Sequence, residues 1–342
     1  MKNFYVADAA ARADDPKQRE FQSAFLVVSK QLKPKKNGSD YLAVVLCDRS
    51  GQIEAKMWDN VAQFAGAFEA NDVISARGYI NRYNGRPQLI LQSLARLAPE
   101  AVDFSDFLPK TSKDVEQLWA QLGGFVRSIG HPHLRALVQA FLDDPEFAAA
   151  FRAAPAAKML HHACIGGLVE HVVSLMGLCD LACRHYPEVN RDLVLAGAFL
   201  HDIGKIHELG YARSFAYTTR GQLLGHMIIE LEMVQQKIAG IPGFPEPYKT
   251  LLEHMIISHH GQHEFGSPKL PMFPEALLLH YLDDLDSKLE NMRAQFERDA
   301  GMAGAWTSFN NSLGRALLNS RRYLESGEGP QEASQAEAAG TE

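Results

Sequence analysis

The sequence predicts two domains, a five-stranded β-barrel followed by an all-helical domain, and three observations support this division. Between Phe21 and Arg96, apolar and polar residues alternate in short runs that are separated by turn residues. From Val115 to about Tyr323, the apolar residues recur at helical spacing. The length of 342 residues also exceeds that of one ordinary domain.

The strands of the first domain are predicted from five short runs, each bounded by turn residues. The runs are FQSAFLVVSK, DYLAVVLCD, GQIEAKMW, DVISARGYI and PQLILQSLAR. Asn84-Gly85 separates the last two runs and is a strong hairpin signal. Residues 59–70, between the third and fourth runs, carry apolar residues at the spacing of a short helix. Five strands with a helix at this place are the arrangement of the OB-fold barrel.

The domain boundaries follow from these patterns and from the composition of the ends. We expect a lead-in over residues 1–17, the OB-like domain over 18–98, a linker over 99–114 and the helical domain over 115–325. Residues 326–342 contain four glutamates and no basic residue, and they lack the apolar residues that a packed core needs. We therefore expect a disordered acidic tail there.

Charge and histidine are distributed unevenly between the two domains. Residues 18–98 hold eleven Lys or Arg against seven Asp or Glu, although the whole chain has a formal net charge of −7. A basic front domain favours a nucleic-acid partner. All 14 histidines lie at or beyond His131, so histidine chemistry belongs to the second domain. Because there is no bilayer-spanning apolar run and no leader at Met1, we expect a cytoplasmic protein without a membrane partner. The four cysteines form no C-x-x-C pair, so we expect neither a thiolate metal site nor a disulfide framework.

The strongest local signal is His201-Asp202, which ends a predicted helix over about residues 192–200. An imidazole nitrogen and a carboxylate that are adjacent at a helix end can reach one divalent cation. Further candidates lie on or beside apolar helical stripes, where an unpaired polar group is costly; they are His171, His226, His259, His260, Asp283 and Asp286. Each alone is more commonly a hydrogen-bonded structural residue, but together they indicate a metal site.

The order of these residues, H…HD…H…HH…D, resembles the HD superfamily of metal-dependent phosphohydrolases. The longer motifs, behind an OB-like domain, are similar to those of the YhaM family of 3′→5′ exoribonucleases; they are MLHHACIGGLVEH, LAGAFLHDIGKI, GQLLGHMIIE, ISHHGQHEFGSPK and ALLLHYLDDLDSKL. The resemblance extends from about Phe21 to Tyr323. It implies an OB-fold barrel followed by an HD-superfamily domain that hydrolyses phosphodiester bonds.

The resemblance also implies two metal sites. The ligands of the first would be His171, His201, Asp202 and Asp283. The ligands of the second would be His226 and one or both of His259 and His260, with Asp202 bridging the two ions. Two such ions activate a water molecule and orient the attacked phosphate without a protein nucleophile. A mixed imidazole and carboxylate shell suits Mn²⁺, our first expectation, and also Fe²⁺, Co²⁺ or Mg²⁺.

Several other residues are candidates for catalysis or substrate contact, and each also has a simple structural reading. Lys205 lies one turn past His201, where it would offset phosphate charge beside the catalytic Asp202, or it is a solvated lysine at a helix end. Loop candidates for phosphate contact are His161, His162 and Lys269, although exposed loop histidines are common. The barrel candidates are Lys56, Trp58, Tyr83 and Arg86. Aromatic faces beside basic side chains suit a single strand, but aromatic strand residues also pack in cores.

The sequence thus predicts a metal-dependent 3′→5′ exonuclease that hydrolyses single-stranded RNA, and by extension DNA, to 5′-mononucleotides. One alternative is an HD-type nucleotide or cyclic-nucleotide phosphohydrolase, which the basic front domain disfavours. Another is a non-catalytic nucleic-acid-binding protein, which would be expected to lose at least one ligand position. The native metal, the preference between RNA and DNA, and the number of subunits stay open, and a homo-oligomer is compatible with the sequence.

Overall fold

The first domain is a closed barrel in the computed structural model, which describes residues 2–35, 38–98, 102, 106–157, 164–210 and 216–326. Its five strands are β1 (Glu20–Pro34), β2 (Asp40–Asp48), β3 (Gly51–Met57), β4 (Val73–Tyr83) and β5 (Arg86–Arg96). They are hydrogen-bonded in the order β1-β2-β3-β5-β4. Alternate residues such as Leu42, Val44 and Leu46 fill the interior, as the period of two requires. The predicted OB-fold barrel is confirmed.

Two short helices complete the first domain. The helix α1 (Ala9–Asp14) and the preceding Phe4 contribute to the barrel core. The predicted helix over residues 59–70 is present only as α2 (Val61–Phe64). The chain leaves the helix before Gly66, and the Phe68 side chain turns into the barrel core, where it is buried. The apolar spacing therefore marked the correct segment but overstated the length of the helix.

The second domain is built from helices around one large apolar core. Its helices are α3 (Val115–Arg127), α4 (Pro132–Leu142), α5 (Pro145–Ala153), α6 (Gly167–His185), α7 (Arg191–Leu200), α8 (Lys205–Glu208), α9 (Thr219–Ala239), α10 (Glu246–Ser258), α11 (Pro274–Arg298) and α12 (Ser320–Ser326). The helix α7 is buried along its whole length after Asp192. It packs against α6, α10 and α11, so its end lies in the middle of the domain.

Two short antiparallel ladders interrupt the helical pattern and were not expected from the periodicity. They are β6 (Leu209–Gly210) with β7 (Ala216–Tyr217), and β8 (Trp306–Asn310) with β9 (Arg315–Leu318). The helical character of the second domain is otherwise confirmed. A disordered tail was predicted over residues 326–342; Ser326 is the last residue of α12, and residues 327–342 lie outside the described residues.

The segment after the barrel is tied to both domains. Phe107 and Leu108 pack on the outside of the barrel against residues that include Leu26 and Val73. The Thr111 amide then donates a hydrogen bond to the Ile165 carbonyl over 2.9 Å. Within the described part of the chain, no helix combines the length and apolarity that crossing a membrane requires.

Candidate metal centre

Five helices bring polar side chains to one place at the centre of the second domain. His201 and His259 are the residues at which α7 and α10 end, and His171 lies in the second turn of α6. His226 follows a break in α9 at which φ is 72°. Asp283 comes from α11. The four imidazoles are buried, so the apolar core that surrounds the helix ends holds them in position.

The first cluster consists of His171, His201 and Asp283. The Nε2 atom of His171 lies 3.2 Å from Oδ1 of Asp283 and 3.3 Å from Nε2 of His201. One ligand atom from each residue falls within 4.8 Å of the others, which is the separation of ligands around a single ion. The structure therefore brings together three of the residues predicted for the first metal.

The second cluster consists of His226, His259 and His260. The Nε2 atoms of His226 and His259 are 3.5 Å apart. Asp202 lies between the clusters, because its Oδ2 is 3.3 Å from Nε2 of His201 and its Oδ1 is 3.6 Å from Nε2 of His226. Its carboxylate thus presents one oxygen to each cluster, and both members of the His259-His260 pair reach the second one.

The donor set fits divalent cations. On the outer side of the clusters, each of four imidazoles is hydrogen-bonded through Nδ1. The partner is the Ala198 carbonyl for His201, the Ile256 carbonyl for His259, the Phe265 carbonyl for His260 and the Glu208 carboxylate for His226. These partners fix the tautomer in which the Nε2 lone pair faces inward. The Nε2 atoms of His226 and His259 lie 3.5 Å apart, so their inward lone pairs repel unless a cation lies between them. The buried Oδ1 of Asp202 also accepts no hydrogen bond among the described residues.

The protonation states of the cluster residues follow from burial and from neighbouring charges. Burial opposes ionisation of Asp202, but Lys205 and His201 hold the pKa of its carboxyl well below the usual value. Burial also disfavours the charged form of His171, yet the carboxylates of Asp283 and Asp286 raise its pKa to about 9. Burial and the neighbouring His260 lower the pKa of His259, which keeps that imidazole neutral. Metal ligation requires an ionised carboxylate and neutral imidazoles, so His171 must release a proton when a cation binds.

Two acidic residues behind the imidazoles complete the centre. Glu208, at the end of α8, accepts hydrogen bonds through Oε1 from the backbone N–H and Nδ1 of His226, at 3.0 Å and 3.1 Å. Asp286, which the sequence singled out only by its helical spacing from Asp283, lies 3.7 Å from Nδ1 of His171. Such carboxylates orient metal-ligating imidazoles. Glu208 was not identified from the sequence, because it lies 18 residues before His226 and follows no periodic pattern.

A cavity of about 390 Å³ opens onto the two clusters. Its wall includes His171, Asp202, His259, His260 and Asp283, and also the Lys205 side chain. The Lys205 ammonium lies 2.6 Å from Oδ2 of Asp202, so it is a half-buried ion-pair partner of the carboxylate between the clusters. This contact differs from the solvated helix-end reading of Lys205.

Comparisons with known proteins match both domains. Residues 26–97 match a family model described as an OB-fold nucleic acid binding domain, and residues 168–288 match the HD domain. The chain is 37% identical over 264 residues to "3'-5' exoribonuclease YhaM" of Geobacillus sp. (strain WCH70), a match that covers 77% of this chain and 80% of the relative. The protein of the same description from Bacillus subtilis (strain 168) is 35% identical over 266 residues, covering 77% of this chain and 83% of that protein.

The chain belongs to the YhaM family. The resemblance stated from the motifs is thereby confirmed, together with the order of an OB-fold domain before an HD domain. The HD domain of this YhaM-family chain and its His and Asp clusters indicate dependence on divalent metal.

The barrel of the YhaM-family chain carries an aromatic platform, defined as the rings of Tyr41, Trp58 and Tyr83 around the Lys56 ammonium. Tyr41 and Trp58 are stacked with their centroids 4.6 Å apart. The Lys56 ammonium lies 5.8 Å, 5.5 Å and 4.8 Å from the centroids of Tyr41, Trp58 and Tyr83, respectively. Trp58 and Tyr83 are exposed rather than part of the barrel core. Tyr41 was missed in the sequence, where it looked like an ordinary strand residue.

The other predicted substrate contacts are placed differently. The Arg86 guanidinium bonds to Asp299 and Ser308 of the helical domain and is not part of the aromatic platform. Lys269 is exposed and is not among the residues of the cavity wall. His161 and His162 lie outside the described residues.

Proposed function

We propose that this protein is a metal-dependent 3′→5′ exonuclease that hydrolyses single-stranded RNA, with DNA as a second substrate, to 5′-mononucleotides. The observation that carries the proposal is the Asp202 carboxylate between two clusters of inward-facing imidazoles. Membership of a family whose named relatives are exoribonucleases supports the choice of RNA.

His171, His201 and Asp283 would hold one divalent ion, and His226, His259 and His260 a second, with Asp202 shared between them. Such ions lower the pKa of bound water and stabilise negative charge on a phosphoryl oxygen. We take Mn²⁺ as the preferred ion, with Fe²⁺, Co²⁺ and Mg²⁺ as alternatives, because the donor set mixes imidazole and carboxylate without thiolate.

Lys205 contributes to catalysis in this proposal. Its ammonium is paired with Asp202 and faces the cavity, where it would lie beside the charge that develops on the attacked phosphate. Glu208 and Asp286 act as positioning residues, because they hold the His226 and His171 rings with Nε2 directed inward. Water activated by the ions would be the nucleophile, so the chain would need no nucleophilic side chain of its own.

The aromatic platform would bind the strand before its end enters the cavity. Bases stack on the Trp58 and Tyr83 rings, and the Lys56 ammonium contributes attraction for phosphates. Contacts of His161, His162, Lys269 and Arg86 with the substrate remain predictions from the sequence. A cytoplasmic location and homo-oligomeric assembly also remain predictions from the sequence.

The proposal is tested by incubating the purified protein and Mn²⁺ with end-labelled single-stranded RNA, beside a panel of nucleotides and cyclic nucleotides. A 5′-labelled strand should give a ladder of shortening fragments, and a 3′-labelled strand should release labelled mononucleotide at once. A circular strand of the same sequence should persist, and a chelator should stop the reaction. Hydrolysis of the nucleotide panel alone would favour the phosphohydrolase alternative, and strand binding without cleavage would favour the non-catalytic one.

A further inference from the structure

The β8–β9 ladder, here called the C-terminal hairpin, lies outside the residues that match the OB-fold and HD models. Its outer face carries Trp306 and Phe309, which are 58% and 63% exposed. Asn310 and Leu317, in contrast, are buried against the domain. Two large rings held at the surface of a short, anchored hairpin are typical of a binding surface rather than of packing.

The C-terminal hairpin packs on α11, the helix that also contributes to the cavity wall. Asp283 and Ser287 belong to the cavity wall. Asn291 and Gln295, at four and eight residues beyond Ser287, bind the hairpin through Asn310 and Ser308 over 2.8 Å and 2.9 Å. Asn291 is one turn beyond Ser287 and lies on nearly the same side of α11, whereas Gln295 is rotated from Ser287 by about 80°. The hairpin therefore packs on α11 directly beyond the cavity wall, towards the C-terminal end of the helix.

The C-terminal hairpin also contacts the barrel through Ser308, the residue that bonds to α11. Arg86 of β5 bonds to Ser308, the residue directly before Phe309. Tyr83, a ring of the aromatic platform, is the cross-strand partner of Arg86 at the tip of the β4–β5 hairpin. The C-terminal hairpin thus contacts both the helix that contributes to the cavity wall and the strand residue paired with Tyr83 of the aromatic platform.

The charge around the C-terminal hairpin suits a polyanion. Residues 300–326 contain three arginines and one glutamate, although the chain as a whole is acidic. Arg315 of β9 and the nearby Arg321 are exposed. Exposed aromatic rings beside arginines are the combination that binds single strands without sequence preference.

We propose that the C-terminal hairpin is a second binding site for single-stranded nucleic acid, in which bases stack on Trp306 and Phe309 on the way from the aromatic platform to the cavity. The inference rests on the proposed function, because it assumes that a strand end enters the cavity. Between Ser287 and Asp299 the α11 axis rises about 18 Å, the length of about five stacked nucleotides. Strands longer than this reach the hairpin, and a trinucleotide in the cavity does not.

The test measures RNA affinity of a Trp306→Ala/Phe309→Ala variant in an Asp202→Ala background, so that cleavage does not consume the probe. With a fluorescent strand of about 16 nucleotides, the dissociation constant should rise by at least about fivefold, the lower bound for the loss of one base-stacking ring. Trinucleotide affinity should show no such loss. Tyr186→Ala, which removes an exposed ring at the end of α6, is the matched control and should leave both affinities unchanged.

Two further measurements keep the outcomes separate. If Trp58→Ala weakens the binding of the long strand and the hairpin variant does not, the hairpin proposal fails while the proposed function stands. If the parent binds no strand, the proposed function itself fails. If the hairpin variant changes the subunit number in light scattering without changing the affinity for the long strand, the hairpin is a contact between copies and the proposal is overturned.

A variant that keeps the hairpin intact guards against misfolding. The chain has three tryptophans, so Trp58→Phe/Trp119→Phe leaves Trp306 as the single emitter. Addition of the long strand should quench Trp306 emission, and addition of the trinucleotide should not. Unchanged emission with saturating long RNA would contradict stacking on this ring.

Discussion

Replacement of Glu208 tests how the second cluster is held. Glu208 is buried, and one carboxylate oxygen accepts both the backbone N–H and the Nδ1–H of His226, at 3.0 Å and 3.1 Å. Glu208→Ala removes both bonds and leaves the His226 ring free to turn its Nε2 away from the cluster. Loss of a group that orients a metal ligand typically weakens metal binding by about tenfold to 100-fold, or about 1.4 to 2.7 kcal/mol.

The assay is calorimetric titration of the metal-free protein with Mn²⁺ alone. Glu208→Ala should weaken only the binding event that involves the second cluster, towards the upper end of the range. Glu208→Gln should have a smaller effect, because its amide oxygen can still accept one of the two bonds. Glu232→Gln is the matched control, since Glu232 is also a glutamate of this region but pairs with Arg220 on the surface.

Two results would refute this reasoning. Mn²⁺ binding by Glu208→Ala within about twofold of the parent would mean that Glu208 does not position His226. Equal weakening of all Mn²⁺ binding, together with a lower melting temperature of the metal-free protein, would mean that Glu208 serves the fold instead. Thermal unfolding of the metal-free variants therefore accompanies the titration.

The remaining predictions concern the platform, the helix contact below the metal centre and the junction between the domains. Trp58→Ala should weaken single-strand binding by about fivefold to 150-fold in an anisotropy titration, and Trp58→Phe by less, because a ring remains for stacking. Gly204→Ala should lower both the melting temperature and the Mn²⁺ affinity. The added Cβ would lie 2.2 Å from the His226 carbonyl oxygen and would push α8 away from α9. Burial opposes ionisation of Asp299, but hydrogen bonds from Ser308 and Gln295 outweigh it and lower its pKa below 3.8. Its stabilising contribution should therefore be complete above about pH 5 and disappear as the pH falls through the lower folded-state pKa. The stability difference between the parent and Asp299→Asn, measured by urea unfolding, should shrink below about pH 4; a difference that is constant with pH would contradict this.

Local patterns were sufficient to predict most of the fold. The five strands and the Asn84-Gly85 turn follow from alternation and turn chemistry, and the long helices follow from apolar spacing. The C-terminal hairpin escaped notice because a bulge between Trp306 and Phe309 interrupts its alternation.

The ligands of the candidate metal centre were predictable in kind, since each lies on or beside an apolar helical stripe. Their partners were not predictable in the same way. Glu208 binds His226 across 18 residues, and Arg86 reaches Asp299 across 213 residues. Such contacts depend on the packing of whole elements. The local pattern that made Arg86 a candidate for binding single-stranded nucleic acid could therefore not reveal its partner in the other domain.

The most direct test of the account compares Asp202→Asn with the parent, using a 5′-labelled RNA strand and Mn²⁺. The substitution keeps the shape of the side chain between the two clusters and removes its charge. The ladder of shortened fragments should disappear, while the affinity for the uncleaved strand should stay within about twofold of the parent because the aromatic platform is unchanged. Cleavage within about tenfold of the parent would contradict the claim that this carboxylate organises the metal centre, since loss of a shared ligand should cost more than the about tenfold to 100-fold expected of an outer partner.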